Sequence, residues 1–192
     1  MNDFINIVES FDYEVLLFIN SLNNSFLDEI MWLFSSSLFG IPFYILFIFL
    51  LTRIYNPMQV FFLVIILLIV VSLCDLSAKH LFKEVFERYR PSHNLVLKDQ
   101  LHLVNNYTGG KYGFVSSHAA NMAGLSTMLY FLLNHRFVKI GYMLVPFVLF
   151  ISYSRVYLGV HYVSDIVGGM LLGFLLSISV YKVIKKIKFL EI

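Results

Sequence analysis

Three clusters in this sequence bring together side chains that could do chemistry on an anion. The first is Lys83 and Arg90-Pro91, six residues apart. The second is Val115-Ser116-Ser117-His118. The third is Ser154-Arg155, then five residues to His161 and three more to Asp165. Lys83, Arg90 and Arg155 are cations, and gathered near a helix N-terminus they would form an anion site suited to a phosphate dianion. His161 and Asp165 stand four apart, on one face of a helix. A carboxylate there can hold one imidazole nitrogen protonated and leave the other free to attack. Two histidines, one as nucleophile and one as general acid, within a cationic cage are the parts that phosphoryl transfer needs. Each cluster alone has a plainer reading. A His-x-x-x-Asp pair is ordinarily a surface pair or half of a metal site, but the surrounding cations would repel a metal. Lys83 and Arg90 alone would be interfacial snorkellers.

The elements that must position these residues are helices in a bilayer. Of 192 residues, 59% are hydrophobic and only 14% charged, and the mean hydropathy is +0.78. That much apolar surface exceeds what a soluble core of this size can bury. One domain over residues 1–192 is expected. The net charge of +2 excludes nucleic acid as a partner, and the single Cys74 excludes a disulfide framework or thiol metal cluster. The acidic N-terminus does not read as a signal peptide, so insertion would rest on internal segments.

Five stretches are apolar over about the 17 to 25 residues a span needs: Ile30–Thr52, Met58–Ser77, Ser117–Leu133, Val138–Ser154 and Val163–Ile184. Ser25 and Asp28 read as a capping box ahead of the first. Phe4, Ile7, Val8, Phe11, Val15, Phe18, Ile19 and Leu22 recur at helical spacing, with Glu9 and Asp12 between them. An amphipathic helix lying in the interface is expected there, the alternative being a short, tilted sixth span. Lys79–Phe114 is polar and turn-rich and is read as an extramembrane loop capping the bundle. The expected fold is therefore all-α and membrane-embedded, with five or six spans.

Alternation places the three clusters on one face. The other face holds Arg53, Arg136, Lys139, Lys182, Lys185, Lys186 and Lys188 against the single acid Glu191. Excess Lys and Arg marks the cytoplasmic side. The C-terminus is then cytoplasmic and the clusters face outward from a bacterial inner membrane.

The three clusters resemble the three-part motif of the type 2 phosphatidic acid phosphatase superfamily, which includes bacterial membrane lipid phosphatases, glucose-6-phosphatase and the vanadium haloperoxidases. Lys83-x6-Arg90-Pro91 and Ser154-Arg155-x5-His161-x3-Asp165 match fully. Val115-Ser116-Ser117-His118 departs, because the family commonly shows Pro-Ser-Gly-His there. The resemblance implies that His161 attacks phosphorus and forms a phosphohistidine, with Asp165 orienting it. It implies that His118 protonates the leaving oxygen and then activates water. Lys83, Arg90, Arg155, Ser116 and the Ser117 amide would hold the phosphoryl oxygens, with no metal and no cofactor. The outward face favours undecaprenyl diphosphate, a lipid on which similar small bacterial proteins act. Lipid A or phosphatidylglycerophosphate is the alternative, and a non-catalytic lipid-phosphate binding or transport protein the rival from another class. Nothing in the sequence sets the oligomeric state.

Other polar residues receive no catalytic role. Asp75 and Lys79 are read as a buried pair. His80 and His135 are read as interfacial, and His93 and His102 as loop residues. Asn121 follows His118 by one turn. Gly169 and Gly173 are read as a close-packing face within the chain. Tyr107, Tyr112 and Phe114 would form an apolar lid.

Overall fold

The computed structural model describes residues 2–187 and 190; Lys188 and Glu191 of the charge count lie outside the described residues. The described residues form helices and no strand, apart from one isolated bridge between Tyr89 and Tyr112. In chain order the helices are α1 (Asn2–Ser21), α2 (Ser25–Ser35), α3 (Gly40–Thr52), α4 (Pro57–Ser77), α5 (Glu84–Phe86), α6 (Ser117–Leu133), α7 (Gly141–Tyr157) and α8 (Val163–Ile184). A π-helical segment, Ala78–Lys83, joins α4 to α5, so one helix runs Pro57–Phe86. That helix and α8 are each long and apolar enough to cross a bilayer. With α2 and α3 taken as one broken span, there are three such elements. Of the remaining long helices among the described residues, α1 has 20 residues and α6 and α7 have 17 each.

The expected first span, Ile30–Thr52, is interrupted. α2 ends at Ser35 and the chain bends by 45° before α3. The serine run 35–37 and Pro42 explain the break. The Ser36 hydroxyl accepts from the Phe39 amide, and Pro42 has no amide to donate, so it is tolerated only within the first turn of a new helix. The start of α2 also differs from expectation. Asn24, not Ser25, is the cap, accepting from the Leu27 amide at 3.0 Å, and Asp28 instead accepts from the Tyr157 hydroxyl at 2.7 Å.

Lys79–Phe86, read from sequence as loop, is helical. No proline or glycine interrupts it, and the helix stops where Glu87 turns left-handed at φ 47°. The π-helical widening from Ala78 changes the register, and Asp75 and Lys79 are both exposed rather than paired in the core. α7 lies three residues later than expected, because apolar residues continue to Leu158 and the terminator is Gly159, at φ 69°. This shift places Arg155 inside the last turn of α7.

α6 and α8 make the closest helix contact. A Cβ on Gly173 would stand 2.1 Å from the Ala120 carbonyl oxygen, and one on Gly169 would stand 2.5 Å from that of Ser116. Small residues let the two backbones approach, which brings the starts of α6 and α8 side by side. Below that end, Leu63, Val70, Met128, Leu129, Leu132 and Leu133 form the buried core. Ile45, Phe49, Phe61, Leu68, Leu171 and Leu175 point outward, as a lipid-facing surface requires.

α1 buries the opposite face from the one its apolar spacing suggests. Asp12, Leu16 and Asn20 are turned inward, whereas Ile7, Phe11 and Phe18 are exposed. Residues four apart share a helix face, so this inward stripe is mostly polar and must find partners. Asn20 donates to the carbonyls of His102 (2.9 Å) and Tyr157 (2.8 Å), and its Oδ1 accepts from the His102 amide at 2.8 Å.

Candidate active site

The short link from Leu158 to Tyr162 carries His161 to the end of the bundle, where it is 1% exposed. Its Nδ1 stands 3.2 Å from Asp165 Oδ2. Asp165 lies in the first turn of α8 and is also buried. Its Oδ2 also accepts the Tyr162 amide at 3.0 Å. The N-terminal turn of a helix suits a carboxylate, since its amides are free to donate. The remaining oxygen, Oδ1, accepts from Arg88 Nη1 at 2.9 Å.

Three cations face His161 from separate elements. Lys83, on the π-helical segment, donates to Ser117 Oγ at 2.6 Å. Arg90 is held by its own Nε, which donates to the Tyr112 carbonyl at 3.1 Å; its Nη1 is buried with no hydrogen-bond partner among the described residues. Arg155 donates through Nη1 to Ser35 Oγ and through Nη2 to the Tyr107 hydroxyl at 3.2 Å, while its Nε is likewise buried and unpartnered. Leaving a buried donor unpaired costs roughly 1–3 kcal/mol or more for a charged group. Arg90 Nη1 and Arg155 Nε are thus donors that a bound anion could satisfy.

Burial, then the charges of Arg90, Arg155 and Lys83, and then His118, hold His161 well below the ordinary imidazole value, so it rests neutral. Burial and then Arg155 lower Arg90. Burial opposes ionisation of Tyr107, but the charge and hydrogen bond of Arg155 outweigh it and lower the phenol.

The loop Gly109–Gly113 covers Arg90. Gly109 is left-handed, at φ 66°, and a Cβ there would stand 2.4 Å from Arg90 Nη1. A Cβ on Gly113 would stand 2.9 Å from Asp165 Oδ2. No larger residue fits at either position without displacing a charged group. Of the expected lid, Tyr107 contacts Arg155, and Phe114 packs against Phe82 and Phe86 with ring centroids 6.1 and 5.3 Å apart. Tyr112 contributes its carbonyl to Arg90.

Ser116 is fully buried and caps α6, its hydroxyl accepting from the Ala119 amide at 3.4 Å. Ser154 turns away from the cluster and donates to the Ile151 carbonyl at 2.7 Å. His118, in the first turn of α6, is exposed and lines an apolar cavity of about 420 Å³ together with Asn121, Phe34, Val71, Leu125 and Ile151. His102 pairs instead with Asp28 at 2.8 Å.

Sequence reasoning missed Arg88 and the role of Asp12. Arg88 bridges Asp165 and Asp12, with Nη2 2.8 Å from Asp12 Oδ2. Two carboxylates raise its basicity above the ordinary guanidinium value against the opposing effect of burial. An acid amid the apolar residues of α1 was the available signal.

This geometry belongs to a known family. Residues 57–189 match the PAP2 superfamily, and the chain is a member of it, a membrane-bound phosphoric ester hydrolase acting in lipid metabolism. It is 32% identical over 169 residues to the lipid A 4'-phosphatase of Porphyromonas gingivalis, covering 88% of this chain and 71% of the relative. It is 30% identical over 170 residues to the lipid A 4'-phosphatase of Bacteroides thetaiotaomicron, covering 88% and 75%. Its fold is similar to the crystal structure of the transmembrane PAP2-type phosphatidylglycerolphosphate phosphatase of Bacillus subtilis. The TM-score is 0.71 at 26% identity, over 95% of this chain and 89% of that one.

Proposed function

We propose that this protein removes a terminal phosphoryl group from a lipid through a phosphohistidine on His161. The observation that carries the reading is the buried His161–Asp165 contact at 3.2 Å, set among Lys83, Arg90 and Arg155. Asp165 holds the Nδ1 proton, so the Nε2 lone pair attacks phosphorus. The P–O bond to the lipid breaks, and His118 gives its proton to the leaving oxygen. A water then attacks the phosphohistidine, His118 takes the proton from that water, and phosphate leaves. The cations, with Ser116 and the Ser117 amide, hold the phosphoryl oxygens and neutralise their charge throughout, the part a metal ion plays in other phosphoryl transfers.

The two relatives that act on lipid A reverse the order of substrates expected from orientation. Lipid A carrying a 4'-phosphate becomes the first reading. Undecaprenyl diphosphate is the second, favoured by the apolar cavity at His118, which suits a hydrocarbon chain joined close to the leaving oxygen. The chain would cross the inner membrane five times, α1 lying in the interface, with the site outside and the lysine-rich C-terminus in the cytoplasm.

Phosphate release by detergent-purified protein, with EDTA present, tests this across lipid A, undecaprenyl diphosphate, phosphatidylglycerophosphate and phosphatidic acid. EDTA-resistant release that His161→Ala abolishes supports the mechanism, and the preferred lipid names the substrate. Absence of release from every lipid would overturn the reading in favour of binding or transport.

A further inference from the structure

We propose that Asp12, on α1, is a positioning residue of the phosphatase site and acts through Arg88 on Asp165 and so on His161. This rests on the phosphohistidine reading above. α1 lies outside residues 57–189, the stretch that defines the family match, yet Asp12 is fully buried and its carboxylate is spent entirely on the start of α8 and on Arg88. Oδ1 accepts the Ser164 amide at 2.9 Å, and Oδ2 accepts Arg88 Nη2 at 2.8 Å and the Ser164 hydroxyl. Arg88 Nη1 in turn donates to Asp165 Oδ1 at 2.9 Å and to Ser164 Oγ at 2.6 Å. The guanidinium is fixed in plane by Tyr162, whose ring centroid lies 4.2 Å from its central carbon. Tyr13 stacks on the far side of the pair, its ring centroid 5.6 Å from that of Tyr162.

Arg88 thus meets two carboxylates through its two terminal nitrogens. Without Asp12 it would move toward Asp165 alone, drawing that carboxylate off His161 and leaving a net positive charge behind the ring. With Asp12 in place, the guanidinium is shared, and Asp165 keeps its second oxygen on Nδ1. A bidentate fork suits this bridging because its donors are fixed in one plane.

The test is steady-state kinetics across pH on the full chain in detergent micelles, using the preferred lipid phosphate. His161 is faced by Asp165, Arg90, Arg155, Lys83 and His118, and those groups are unchanged in the variants. Asp12→Asn is expected to lower kcat about tenfold with KM little changed. It removes a negative charge, so the acid limb of kcat moves to lower pH. Arg88→Gln removes a positive charge, so that limb moves to higher pH, each shift being about one unit. In the Arg88→Gln background, Asp12→Asn is expected to lower kcat little further, because its effect on kcat passes through Arg88, whereas the two Coulombic limb shifts add. Loss of the charge alone would move the limb at an unchanged kcat maximum, and a purely structural role would lower melting temperature with the kcat of folded protein unchanged. Unaltered kcat in Asp12→Asn, or full additivity of the two kcat losses in the double variant, overturns the inference. If Asp12→Asn is not monodisperse, Arg88→Lys carries the test. It keeps the charge and loses the fork, so kcat should fall about tenfold at an unmoved limb; full activity overturns the inference. Turnover surviving in His161→Ala would sink the phosphohistidine reading itself, whereas His161-dependent turnover indifferent to Asp12 would sink only this inference.

Discussion

The two histidines of the site share the charges of Lys83, Arg90 and Arg155 but differ in what else surrounds them. Around His161 the support is a closed hydrogen-bond network: buried Asp165 has partners on both oxygens, and half-buried Arg88 and Ser164, with buried Asp12, complete it behind. His118 also borders an open, apolar cavity, where the Oδ1 of Asn121, one turn on, is buried without a partner among the described residues. A nucleophile gains from being held in one tautomer and orientation before substrate arrives. A leaving-group acid must instead admit whatever carries the phosphate. Under the proposed mechanism, the contrast assigns one half of the site to the phosphoryl group and the other to the lipid.

The sharpest way to break that contrast is to remove each histidine in turn. His161→Ala is expected to lose at least about 10³-fold in turnover on any phosphate ester, because no covalent intermediate can form. His118→Ala should lose as much on a lipid. On 4-nitrophenyl phosphate, whose leaving group needs no proton, it should retain a burst of nitrophenolate. Equal loss of the burst in both variants would refute the division of labour.

Gly109→Ala should come next, at about a hundredfold in kcat/KM, since the new Cβ would displace Arg90 from the phosphate position. Gly110→Ala, one residue on, meets nothing within 4 Å and should be silent. The pair reports on the phosphoryl half alone.

Filling the cavity with Leu125→Trp should raise KM for the lipid about tenfold and leave 4-nitrophenyl phosphate unaffected. The same rise on both substrates would mean that the cavity does not serve the lipid.

The smallest expected change is none. His161 is lowered by burial and by Arg90, Arg155 and Lys83, so its neutral form persists as pH falls through the usual imidazole range and protonates only well below it. Its ring carbon-bound proton, assigned by difference from His161→Ala in NMR spectra, should not shift between about pH 5.5 and 7.5. A titration midpoint inside that window would show that the cage does not hold the ring neutral.

Much of this was legible in the residues. α6 and α8 begin and end where their apolar runs predict, at Ser117–Leu133 and Val163–Ile184. His161 and Asp165 do meet, but not on one helix face as their spacing suggested: His161 precedes α8, and the capping turn at Tyr162 brings Asp165 back to it. The errors fall where a local rule had a competitor. The serine run and Pro42 broke an apolar stretch that hydropathy alone reads as one span. Gly159 ended α7 later than polarity suggested. The inward face of α1 is the polar one, because its partners come from elsewhere in the chain.

Sequence by itself therefore named the residues to which the chemistry is assigned in the proposal: three cations, two histidines and a carboxylate. Tertiary structure alone decided what supports them. Arg88 meets Asp12 across 76 residues and Asp165 across 77, and no helical or strand period reaches so far. Those contacts exist only where α1, the segment after α5 and the start of α8 converge, a meeting that tertiary packing alone brings about.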